Sequence, residues 1–201
     1  MPTLTPLFKI QEATFKSNSP TIATESKALI QHVRRVPAQR WEFTLKSVPL
    51  YPDYGRKVWA FITALNGRFE PFEVVIPAYS QPQGVASGSP TVRTAAAAGV
   101  TSVAMQGFSG PVSGQLLAGD YVRFGNHSKV YMVTADVNSN VSGQLTLPIY
   151  PQLARPVTLG TPLIVNNVPF TVRQLRDMQE FSVSGRDGRI TAFELDCIEA
   201  L

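Results

Sequence analysis

A mainly β fold with one helix and an inserted all-β unit is what this 201-residue sequence predicts. Three observations carry that expectation. Apolar and polar residues alternate with period two near residue 40 and again at the C-terminal end, the pattern of half-buried strands. One stretch between them places apolar residues at helical spacing. The middle of the chain is a series of short apolar runs cut by Gly, Asn and Asp, the pattern of a compact all-β unit. Because the outer segments pattern alike, residues 1–80 and 166–201 are expected to build one β domain. Residues 81–165 are then an inserted small β domain with an N-terminal linker.

The first clear strand is QRWEFTLKS at 39–47, where Trp41, Phe43 and Leu45 alternate with Arg40, Glu42, Thr44 and Lys46. Pro49 and Pro52 end it, since proline lacks the donor a ladder needs. A helix is expected over about 54–66, capped by Asp53, with Val58, Trp59, Ile62 and Leu65 on one face and a left-handed stop at Asn66-Gly67. An extended run follows, with Phe72, Val74 and Ile76 on one face. The segment QPQGVASGSPTVRTAAAAG reads as a linker or long loop. After it come the candidate strands VTSVAMQG, AGDYVRFG, KVYMVTADV and GQLTLPIY. The C-terminal end reads as a hairpin turning at Asp187-Gly188. On its return strand Thr191, Phe193, Leu195 and Cys197 lie opposite Ala192, Glu194 and Asp196.

Composition limits the chemistry. Apolar residues make up 44% and charged residues 16%, with 16 prolines and 14 glycines, so the chain is turn-rich but carries enough apolar side chains for a core. The net charge of +4 is unevenly spread: Arg34, Arg35 and Arg40 form the densest basic stretch, while residues 166–201 are acidic on balance. A single cysteine excludes an internal disulfide, and two distant histidines, His32 and His127, suggest no metal cluster. No apolar run approaches the ~20 residues that span a bilayer, and the N-terminus lacks a secretory pattern, so synthesis in the cytoplasm is expected.

No catalytic signature emerges. There is no phosphate loop and no G-x-S-x-G elbow. The carboxylate pairs Glu70/Glu73 and Glu194/Asp196 read as strand faces, and His127 as an exposed turn residue. Cys197 reads as a small core residue. Trp41, Trp59, Phe61, Phe69 and Phe72 read as core; Tyr121, Phe124 and Tyr131 read either as the core of a small barrel or as an exposed face that meets a sugar or a protein. Neither an enzyme nor a cofactor is expected.

The order of features resembles the distal-tail and tail-tip proteins of long-tailed bacteriophages. The residues that carry the likeness are Arg40-Trp41-Glu42, the stretch Leu65–Phe72, the stretch Leu116–Pro156 and the end Phe193–Leu201. Within the second stretch they are Ala118-Gly119-Asp120, Lys129, Tyr131, Val133, Asp136, Ser142-Gly143 and Pro151-Gln152-Leu153, with Arg155 arriving only after Ala154. The likeness begins near residue 40; the first 35 residues match nothing in the pattern. It implies a tail-tube-like split β-barrel or sandwich with one flanking helix, assembled as a ring, expected to be a hexamer. Such a ring would connect the tail tube to the baseplate or tail tip and touch tube, hub, tip and tape-measure proteins, with DNA only in transit and no membrane contact. Glu42, Glu194 and Asp196 are then candidates to face the channel, and Phe124 and Tyr131 to face a partner. The alternatives are a ligand- or glycan-binding β module on the virion surface, and a nucleic-acid binder using Arg34, Arg35 and Arg40.

Overall fold

The structure, a computed structural model, describes residues 1–4, 8–183 and 192–201. Strand β1 (Ile10–Asn18) is followed by a hairpin, β2 (Thr21–Glu25) and β3 (Gln31–Arg35), and then by β4 (Arg40–Ser47). Helix α1 (Pro52–Ala64) and β5 (Phe72–Val74) complete the first part. The middle contributes β6 (Gly88–Val92), β7 (Ser102–Phe108), β8 (Val112–Leu116), β9 (Tyr121–Phe124), β10 (Val130–Val133), β11 (Val137–Ser139), β12 (Leu145–Tyr150) and β13 (Leu163–Ile164). The chain ends with β14 (Phe170–Gln174) and β15 (Glu194–Glu199). The protein is mainly β with one α-helix.

The outer segments form a five-stranded antiparallel sheet in the order β1-β4-β15-β14-β5. Alternation explains it directly: Trp41, Phe43 and Leu45 of β4 and Leu195 and Cys197 of β15 share one face and are buried, joined by Phe72, Phe170 and Phe193. Burying a side chain of this size stabilises the fold by roughly 1.5–3 kcal/mol. Helix α1 covers this face through Val58, Ile62 and the following Leu65, while Trp59 is half-buried. The Gln174 amide donates to the Ile62 carbonyl at 3.0 Å, fastening helix to sheet.

The helix departs from expectation at its start. It begins at Pro52, its N-cap is the extended Tyr51, and no side chain caps it. Proline needs no partner for its missing N–H and already has a helical φ, so it opens the helix one residue before Asp53. Asp53 instead sits in the first turn, where its charge favours the positive helix end. The expected stop is present, with Asn66 at φ 51° and Gly67 at φ 64°. Phe69 is 71% exposed and not part of the core, because it lies in the turn beyond that stop.

The middle strands form a six-stranded sheet, β13-β9-β10-β12-β7-β6. Its two ends approach each other: the Val92 N–H donates to Thr161, and Gly160 donates back to Val92, both at 2.9 Å, which nearly closes the sheet into a barrel. Val103, Met105, Val122, Phe124, Tyr131, Val133 and Leu147 fill it. A short ribbon of β8 and β11 lies alongside. The expected linker is only partly irregular. Strand β6 runs through it, and Ala96 bridges to Val157, while Ala95, Ala97 and Ala98 are exposed. The Asp187-Gly188 turn and Thr191 lie outside the described residues.

Candidate assembly interface

Strand β10 is apolar on both faces and β9 is broken only by Arg123, and the structure shows why. Along β9, Tyr121 enters the core under the five-stranded sheet while Val122 and Phe124 enter the barrel; along β10, Val130 and Met132 face that sheet while Tyr131 and Val133 face the barrel. A strand covered on both sides reads as an uninterrupted apolar run. Phe124 and Tyr131 are therefore not partner-facing: both are fully buried in the barrel, at 0% exposure. Tyr121 is buried too, against Trp41 and Phe170.

The turn between β9 and β10 is bound to the five-stranded sheet by polar contacts. The Trp41 indole donates to the Val130 carbonyl at 2.9 Å. Lys129 forms a buried ion pair with Glu199 and donates to both the Gln39 carbonyl and its side-chain oxygen. Glu199 also accepts from the Trp41 and Val130 amides, at 3.2 and 2.9 Å. Burial pushes the Lys129 ammonium down and the Glu199 carboxyl up from their usual ranges, and each is restrained by the opposite charge of the other. Nearby, Arg123 bonds Glu73 at 3.0 Å and the Pro169 carbonyl at 3.1 Å, tying β9 to β5 and the start of β14.

His127 is a correction to the sequence reading. It is 8% exposed, because its turn is pressed against the sheet rather than open to solvent. The Asn126 amide nitrogen donates to Pro156, which aims its oxygen at His127 Nδ1, 2.7 Å away. The Ala154 N–H donates to the Tyr131 hydroxyl, which in turn meets His127 Nε2 at 2.8 Å. The imidazole is thus neutral, protonated on Nδ1 and accepting on Nε2. Burial, aided by Arg155, Arg123 and Lys129, lowers its pKa to about 4. Burial likewise raises the Tyr131 phenol to about 12.

Asp120, at 2% exposure, is a fastening and not a base. Its carboxylate accepts from the amides of Gln83, Gly84 and Leu117, at 2.8, 3.4 and 2.8 Å, and pins the entry of the middle region to the β8–β9 turn. Asp136 holds the Ala118 amide of the same turn at 2.9 Å. Cys197 is buried, and burial raises its thiol well above the usual range, as suits a packing residue. Among the described residues no group of three His, Cys, Asp or Glu could hold a metal, and no helix is long and apolar enough to cross a membrane.

Glu42, Glu194 and Asp196 do share a face, the outward face of the five-stranded sheet. Cross-strand register sets Glu194 beside Lys46, Asp196 beside Thr44 and Ile198 beside Glu42. The face is charge-balanced. Lys46 lies between Glu12 at 3.8 Å and Glu194 at 4.0 Å, Arg176 pairs Asp196 at 3.3 Å, and Asn18 donates to Glu42. Arg34 and Arg35 stand on the hairpin, which carries no Phe, Tyr or Trp.

The edges of this sheet differ. At β5 the N-terminal residues cap it: the Leu4 amide donates to Glu73, and Glu73 donates to Pro2, both at 2.9 Å. At the other edge β1 pairs with β4 on one side and, among the described residues, with no strand on the other. Its nine residues offer an open ladder.

The protein is thus mainly β, with a barrel fastened to a second sheet and, among the described residues, an unpaired sheet edge. Residues 84–168 match the family model for the B domain of distal tail protein pb9, which supports a structural protein of the phage tail, of the distal-tail kind. That match covers the nearly closed barrel, β6 to β13, and less than half of the chain. No curated protein matches the sequence.

Proposed function

We propose that this protein is a non-enzymatic ring subunit of a phage tail, made in the host cytoplasm and built into the virion, which connects the tail tube to the baseplate or tail tip. The observation that carries this reading is the asymmetry of the five-stranded sheet. One edge is capped by residues 2–4, while among the described residues the nine-residue β1 is left open for a neighbouring copy. On this reading the outer segments form a tail-tube-like split barrel completed between copies, most simply in a hexamer. The segment 81–165 is then an inserted unit riding on it. The outward face with Glu42, Glu194 and Asp196 turns to the channel, and its balanced charge gives passing DNA no basic track to adhere to. Tube, hub, tip and tape-measure proteins are the neighbours above and below. The glycan-binding alternative loses its platform, since Phe124 and Tyr131 are enclosed in the barrel. The nucleic-acid alternative has no Phe, Tyr or Trp beside Arg34 and Arg35 to stack on bases.

Negative-stain electron microscopy and analytical ultracentrifugation of the full chain test the reading. Closed rings of one size are expected. A protein that stays monomeric at high concentration, or that forms only open filaments, overturns it.

A further inference from the structure

The β2–β3 hairpin is the one strand pair, among the described residues, with every strand position exposed. At five residues per strand it projects roughly 17 Å. Two strands alone are marginal in water, so this arm needs a surface to lie on. Its exposed apolar residues are Ile22, Leu29, Ile30 and Val33, and Lys27, Arg34 and Arg35 have no ion pair among the described residues. Register puts Ile22 beside Arg34 on one face, and Ala23 beside Val33 on the other, so both faces mix apolar and basic character.

A complementary surface lies at the opposite end of the same sheet. A groove of about 350 Å³ is lined, among the described residues, by Met178 and Phe181 and by the carboxylates Glu180, Glu194 and Asp196, against the single guanidinium of Arg176. Lys46 at its rim pairs with Glu194 at 4.0 Å and Arg176 with Asp196 at 3.3 Å, so Glu180 is the lining carboxylate with no ion pair among the described residues. The arm leaves the sheet next to Arg40, whereas Glu194 is paired with Lys46, six residues further along β4 and roughly 20 Å away. A basic arm at one end and an acidic, partly apolar groove at the other cannot satisfy each other within one molecule.

We infer that the β2–β3 arm of one copy docks into the Glu180/Glu194/Asp196 groove of a second copy, a head-to-tail contact between subunits. This rests on the ring reading and refines it. Glu194 and Asp196 serve the contact between copies, which leaves Glu42 to the channel. The contact is heterologous, so its repetition closes a ring or continues from one ring to the next.

The experiment compares the full-length wild type with an arm variant, Arg34→Glu with Arg35→Glu, and a groove variant, Glu180→Lys with Glu194→Lys, by analytical ultracentrifugation, with circular dichroism checking the fold. Each variant alone is expected to lose the assembled species, and the wild-type assembly to weaken as salt rises. Mixing the two variants restores assembly, because each supplies the partner the other lacks. Wild-type rings that persist in both variants overturn this inference and leave the ring reading standing. A wild type without any assembled species overturns both. Loss in each variant without recovery on mixing also overturns the docking, since the reversed surfaces remain complementary.

Discussion

The Lys129 ammonium and the Glu199 carboxylate pair at the junction of the two sheets, with side chains only 3% and 0% exposed. Desolvating two charges is costly, and the pair is sustained by full coordination: Lys129 also binds Gln39, and Glu199 two backbone amides. Removing one member strands the other. Lys129→Met is expected to destabilise the protein by roughly 3–5 kcal/mol in urea unfolding. Lys129→Met with Glu199→Gln should recover part of that loss, because the amide oxygen still accepts from the backbone without an unpaired charge.

Acid should weaken the fold through His127. Its pKa falls from 6.5 to about 4 on folding, so the folded state binds fewer protons than the unfolded one in that interval. The contribution is complete above pH 6.5 and is lost as pH falls toward 4. It amounts to about 2 kcal/mol once solvent screening is allowed for. Urea midpoints measured across this range should drop more steeply in the wild type than in His127→Gln.

Asp120→Ala should cost about 2–3 kcal/mol, since three amides lose a charged acceptor. Asp120→Asn keeps one oxygen and should cost less. Hydrogen exchange should locate the loosening at Gln83, Gly84 and Leu117.

Two glycines separate backbone strain from lack of space. Gly143 has φ 65° and a Cβ there would sit 1.9 Å from the Phe108 carbonyl oxygen, whereas Gly99, at φ 91°, has nothing within 4 Å. Gly99→Ala should cost about 1 kcal/mol through its dihedral alone. Gly143→Ala should cost several times more by thermal denaturation, because backbone must move.

Elements with two unlike faces were legible in the sequence: β4, β15, the helix stripe and the short strands of the middle all announced themselves by period. What escaped was set by partners distant in the chain. Phe124 and Tyr131 looked available because nothing local shows that β9 and β10 are covered from both sides; the hint was the unbroken apolar run VYMV. His127 looked exposed because Gly125-Asn126 marks a turn, and a turn pressed on a sheet carries the same residues as one in solvent. The Lys129–Glu199 pair joins positions 70 residues apart with no pattern linking them. Strand β1 was missed since an edge strand buries too little to alternate clearly.

The chain leaves the five-stranded sheet after Val74 and rejoins it at Phe170, and these two residues are cross-strand partners. The ends of the intervening segment are therefore adjacent, so a tight connection could bridge them with the surrounding register intact. Across that seam the segment supplies an acceptor for the Trp41 indole, cations for Glu73 and Glu199, and apolar side chains against the sheet.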